Sequence, residues 1–141
     1  VDLFLFTILR HILKNMTASN EPRPALYSRI FIAIYTILMT PIGGAILFCV
    51  NLRNTGRLKS IPFVMLGAMI FEYFHLQMIL HNRTGRTDVI FFPSLIFAFL
   101  LSFPVWRILL RGIPPYKLLP AWIPLLVAAA AWLAAIGYFQ L

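Results

Sequence analysis

Acidic side chains are almost missing from this chain: Asp2, Glu21, Glu72 and Asp88 stand against twelve Lys and Arg. A di-iron centre on a helical bundle, which needs four glutamates and two Glu-x-x-His motifs, is thereby excluded. Cysteine is rarer still. Cys49 is the only one, so neither an intrachain disulfide nor a thiolate metal cluster can form. It lies in an apolar run and reads as a small packing residue. Charge of any sign is scarce, at 11% against about 25% in ordinary soluble domains. The sequence also lacks a Gly-rich phosphate loop and a Gly-x-Ser-x-Gly elbow, so no cradle for a nucleotide and no activated serine can be named. No catalytic residue follows from the pattern, and no cofactor or metal is indicated.

What is abundant is hydrocarbon. Of 141 residues, 61% are hydrophobic, a share that would leave large exposed apolar patches in a water-soluble fold. Four uncharged or nearly uncharged runs carry it, at about residues 30–50, 61–80, 89–106 and 120–141. Each is long enough to cross ~30 Å of hydrocarbon at about 1.5 Å per residue, and none alternates as a barrel strand does. The first sixteen residues differ. Leu5, Ile8, Leu9, Ile12 and Leu13 recur at helical spacing while Arg10, His11 and Lys14 interrupt them, the pattern of an amphipathic helix lying at an interface. A signal peptide would place its basic residues before the apolar run. The expected fold is all-α: a single membrane domain, an integral membrane four-helix bundle with an N-terminal interfacial helix.

Polar punctuation separates the runs. Residues 17–28 contain Pro22 and Pro24, which favour an extended linker. Residues 51–60 and 81–88 form short loops, each with one glycine able to take a positive φ. Residues 112–115 break the chain before the last run, with Trp106, Tyr116 and Trp122 around the break as an aromatic belt would have them, and Tyr27 and Tyr138 marking the other interface. Asn15 and Asn82 begin matches to the glycosylation acceptor pattern. Pro41, followed by Gly43 and Gly44, is the strongest hinge within a run, and Pro93 and Pro104 can kink the third. For helix packing, the candidates are Gly43 and Gly44, and the stripe Ser94, Ala98 and Ser102, where small residues allow close approach.

With four crossings, the basic residues divide six against six between the two faces, so the positive-inside rule does not decide by count. Arg53, Arg57, Lys59, Arg107, Arg111 and Lys117 all fall in short loops, which favours that face as the cytoplasmic one. The same six are candidate contacts for anionic lipid head groups. Nucleic acid is not an expected partner, because no basic stripe is interleaved with stacking aromatics.

Glu72 and His75 are the exception inside an apolar run. An ionisable residue at bilayer depth costs about 2.5–3.5 kcal/mol on insertion scales, and persists where it is paired, wet or functional. Three residues apart on a helix, the two share a face. The pair can fix helix packing, hold a proton, or supply two ligands of a larger metal shell, for which His81 is placed too far along the axis.

Pro41-Ile-Gly-Gly44, followed by Asn51-Leu-Arg53 and Gly56-Arg57, resembles a hairpin of small uncharacterised bacterial polytopic membrane proteins. The resemblance covers about a fifth of the chain. It implies a bacterial inner membrane and carries no activity or site residue. The function expected is that of a non-enzymatic membrane subunit or scaffold, with lipids and other membrane-embedded chains as partners. The alternative is a small proton- or metal-ion carrier or channel using Glu72 and His75.

Overall fold

The computed structural model describes residues 23–82 and 91–139 together with Arg10. The expected interfacial helix over residues 1–16 lies outside the described residues except for Arg10. The same holds for the loop at 83–90, and so for both glycosylation patterns beyond Asn82. The chain is mostly helical: α1 (Arg29–Leu38), α2 (Pro41–Asn54), α3 (Ile61–His81), α4 (Phe92–Leu109) and α5 (Trp122–Phe139). Two-residue strands, β1 (Ala25–Leu26) and β2 (Lys117–Leu118), complete it.

The run expected as one helix over 30–50 is two helices. Ser28 starts α1, its hydroxyl accepting from the Phe31 N–H at 3.0 Å. Pro41 cannot continue that helix, since its ring would clash with the carbonyl four residues back and it has no N–H to donate. The residue before it is driven out of the helical region, and Thr40 is extended at φ −164°, ψ 165°. Thr40 then caps the next helix: its hydroxyl accepts from the Gly43 N–H at 3.2 Å, with Pro41 at the first helical position, where a missing N–H does no harm.

The second helix folds back along the first. Thr36 meets Gly44, Tyr27 bonds Asn51, and Ala25 bonds Asn54, three contacts nested around residues 39–40. Such nesting defines an antiparallel hairpin. Gly44 allows it: a Cβ there would lie 1.7 Å from the Thr36 hydroxyl oxygen and 2.7 Å from its Cβ. Thr36 is fully buried and turns its hydroxyl to the Ile32 carbonyl at 2.7 Å.

A Schellman cap ends α2. The Arg57 N–H reaches the Leu52 carbonyl at 2.8 Å and the Gly56 N–H reaches Arg53 at 3.0 Å, with Gly56 at φ +74°. Only glycine takes that conformation without strain. The loop expected to begin at residue 51 therefore begins four residues later, and Asn51 belongs to the helix.

Next, α3 and α4 run antiparallel. Phe71 and Phe97 stack at 5.1 Å, and Phe63 shares a groove with Ile108 one helix length away. The third expected run, 89–106, is helical over 92–109. Pro93 sits in the first turn, and a π-helical turn at Leu101–Val105 absorbs Pro104. These two segments, counted from Leu58 to His81 and from Phe92 to Leu109, are long and apolar enough to cross a membrane.

The core lies among the first four helices: Ile32 and Tyr35 of α1, Phe48 and Leu52 of α2, Val64 and Ala68 of α3, Phe97 and Leu101 of α4. Phe48 meets Trp106 edge-on at 5.9 Å. Helix α5 lies at the edge of this core, packing on it through Ala128, with Pro124 its one buried residue among those described. The four helices that pack together are thus not the four expected. Two of them are halves of the first run, and the last run lies at their edge, beside Met39.

One end of the molecule is tied by polar contacts. β1 and β2 pair in parallel, Ala25 opposite Lys117, with the Leu119 N–H on the Leu26 carbonyl at 2.8 Å. Asn51, fully buried, accepts from the Tyr27 N–H at 2.7 Å and donates to the Tyr27 carbonyl at 2.9 Å, as a strand neighbour would. Tyr27 therefore lies at the same end as Trp106, not at the opposite interface.

Candidate functional site

Glu72 sits near the middle of α3, about 16 Å from its start at 1.5 Å per residue. The tip of the hairpin reaches the same level. Glu72 Oε2 accepts from the Ile42 N–H in the first turn of α2 at 3.5 Å, the long limit of a hydrogen bond. That N–H is one of the donors a helix start leaves unpaired, and a carboxylate there also meets the positive end of the helix dipole. So the one described acid of this chain closes the end of a half-length helix.

His75, one turn on, brings Nδ1 to 3.7 Å from Glu72 Oε1. That separation is within ion-pair range and beyond a hydrogen bond. The His75 side chain is only 9% exposed, and its Nδ1 has no hydrogen-bond partner. On α4, Ser94 is likewise buried with its hydroxyl unpartnered. Phe97 stacks on Phe71, so Ser94, a turn before one, comes level with His75, a turn after the other. His81 is elsewhere, at the end of α3, its Nδ1 donating to the Gln77 carbonyl at 3.0 Å. No group of three or more His, Cys, Asp or Glu converges among the described residues. The arrangement can hold a hairpin tip in place and present an imidazole nitrogen beside a carboxylate, with the Ser94 hydroxyl at the same level on α4.

The small residues all face inward. Gly44 touches Thr36, and Gly43 leaves room for Tyr35, whose ring carbon would be 3.3 Å from a Cβ. Ser94, Ala98 and Ser102 are buried, and the Ser102 hydroxyl donates to the Arg29 carbonyl at 3.5 Å. Their contacts are within this chain.

The six basic residues gather at the tied end, but one of them has a different task. Arg57 donates through both terminal nitrogens to the Leu109 and Arg111 carbonyls. A guanidinium there satisfies acceptors that the end of α4 leaves free and opposes the negative end of its dipole. Arg53, Lys59, Arg107, Arg111 and Lys117 are exposed. Because the hairpin turns back, Arg23 and Arg29 join them, both exposed. Eight cations therefore share this end among the described residues.

Two positions that hold the fold around the site were given no role from the sequence, Asn51 and Thr40. Asn51 carries no signal beyond its type. Thr40 does: a hydroxyl residue before Pro is a helix-start signature, masked here by an uncharged run. No known protein family, no characterised protein and no solved structure matches the chain.

Proposed function

We propose that the chain is a multi-pass integral membrane protein of the bacterial inner membrane, acting as a non-enzymatic subunit or scaffold. Helices α3, α4 and α5 cross the bilayer, and the hairpin α1–α2 enters from one face and returns to it. The observation that carries the reading is α5: eighteen residues, nearly all apolar, that meet the chain's own core only along one edge, at Ala128, and leave most of their surface exposed. Trp122, Leu126, Trp132, Leu133 and Ile136 are exposed on it, a surface water would not tolerate. Lipid and neighbouring helices cover such a surface, and the exposed alanines at 129, 130 and 134 permit close approach by another helix. The cation count supports an orientation as well. With the hairpin returning, Arg23 and Arg29 leave the side they were assigned to, the even division disappears, and the tied end becomes the cytoplasmic one.

Purification in mild detergent tests the subunit reading. A defined second membrane chain should co-elute in fixed ratio, and deletion of residues 121–141 should release it. A lone monomer would overturn the reading. In this role Glu72 serves the hairpin tip, so Glu72→Gln, which keeps an acceptor for the Ile42 N–H, should leave the assembly intact.

One observation favours a second reading. A buried imidazole nitrogen with no hydrogen bond, beside a carboxylate at the tip of a broken helix, is where carriers keep ion sites. A proton or metal-ion carrier predicts that Glu72→Gln abolishes proton-coupled flux in reconstituted vesicles although the protein still inserts.

A further inference from the structure

The hairpin leaves a groove beside it. Between α1 and α4 runs an open-sided slot of about 500 Å³, walled by Ala33 and Ile37 on one side and Leu95, Ala98, Phe99 and Phe103 on the other. From Leu95 to Phe103 it measures about 12 Å at 1.5 Å per residue. Its depth is set by α1, which stops at Leu38. The slot is therefore close to one leaflet deep, half of a ~30 Å hydrocarbon core, where a helix crossing the whole bilayer would need about twice that length. At its tied end, the Arg29 guanidinium lies 5.5 Å from the centre of the Phe103 ring, exposed. The described carboxylate nearest to hand, Glu72, is engaged at the hairpin tip with Ile42 and His75.

We propose that this slot holds one acyl chain of an anionic glycerophospholipid, with its phosphate on Arg29. The proposal rests on the membrane reading and adds a ligand to it. Hydrocarbon walls match the chain, and the cation at the aqueous end matches the phosphate. The stacking of Arg29 on Phe103 holds the guanidinium over the slot and leaves its N–H edge free for the oxygens. The floor of the slot is small, at Ala33 and Ala98, which gives a narrow apolar bed for one chain.

Native mass spectrometry of the detergent-purified full chain tests this, with phosphatidylglycerol and phosphatidylcholine of identical chains offered in competition. One phosphatidylglycerol should be retained per chain, preferred roughly fivefold, as a basic residue near a lipid phosphate provides. Arg29→Ala, an exposed change that leaves the core untouched, should remove the preference. Ala33→Phe, which fills the slot, should remove retention of both lipids. Arg53→Ala, at the same end outside the slot, should change neither. A preference unaltered in Arg29→Ala, retention unaltered in Ala33→Phe, or equal loss in Arg53→Ala overturns the proposal, as does a peptide chain occupying the slot. Alkaline carbonate extraction on the same membranes separates the two readings. Lipid loss from a chain that stays membrane-bound sinks the groove alone, whereas release into buffer sinks the membrane placement with it.

Discussion

Gly44→Ala should lower the stability of the detergent-purified chain by about 1–3 kcal/mol, the usual effect of overfilling a packed interior. The sign is informative. On an exposed helix face the same change raises stability by about 0.8–1.0 kcal/mol, because glycine is the poorer helix former. Here the new methyl meets Thr36, with Cβ to Cβ at 2.7 Å. No rotation about the threonine side chain relieves that contact, so α1 and α2 must separate. Thr36→Gly in the same chain clears the space and should restore a large part of the loss, despite its own cost in α1. Thermal unfolding followed by size-exclusion monodispersity reads all three variants. Stabilisation by Gly44→Ala alone would mean the two helices do not touch at this point.

Asn51→Leu should be comparably damaging by a different route. The leucine keeps the branched outline of the asparagine and is somewhat bulkier, so no cavity is left. What it cannot do is pair with Tyr27, and both the N–H and the carbonyl of that residue lose their partner. Each buried orphan costs about 1–3 kcal/mol, and Tyr27 is half-buried, which places the sum toward the lower part of that range. Asn51→Asp should be no milder, since a carboxylate still accepts from the Tyr27 N–H but sets a second oxygen against the Tyr27 carbonyl and brings a charge into a buried site. An unchanged melting temperature in Asn51→Leu would show that the linker is held by β1 and β2 without it.

The long helices were readable from hydropathy. The run at 61–80 begins at Ile61, as does α3, and the last run encloses α5. The stripe Ser94, Ala98 and Ser102 was readable too, because small residues every four positions share a face whatever covers them. The hairpin was not. Hydropathy averages over about twenty residues and sees no boundary where both halves are apolar, so Met39 and Thr40 vanish into the mean. Only the local chemistry of Thr40-Pro41, hydroxyl cap then proline, marks the new start, and a proline kink within one helix fits the same letters. What separates the two outcomes is the contact of Thr36 with Gly44, a pairing of two particular side-chain positions that a window average does not resolve.

The same limit applies to the site. Glu72 and His75 stand out because they are the ionisable residues of an otherwise apolar run, so their sharing of one helix face could be read directly. Their partner could not. Ile42 contributes a backbone N–H, and its availability depends on a helix starting at Pro41. The strand pair was out of reach for a related reason: two residues on each side, ninety positions apart, leave no periodic trace. Arg57 was read by its charge as a head-group contact, whereas its geometry makes it the cap of α4.

Impermeant maleimide labelling of single cysteines on a Cys49→Ala background addresses the returning hairpin most directly. Arg23, Arg53 and His81 are exposed and suited to replacement by cysteine. If α1 and α2 enter and leave through one face, the cysteines at 23 and 53 react only in inverted vesicles and the cysteine at 81 reacts only in intact spheroplasts. Reaction of positions 23 and 53 from opposite sides would restore a single crossing helix and contradict the account.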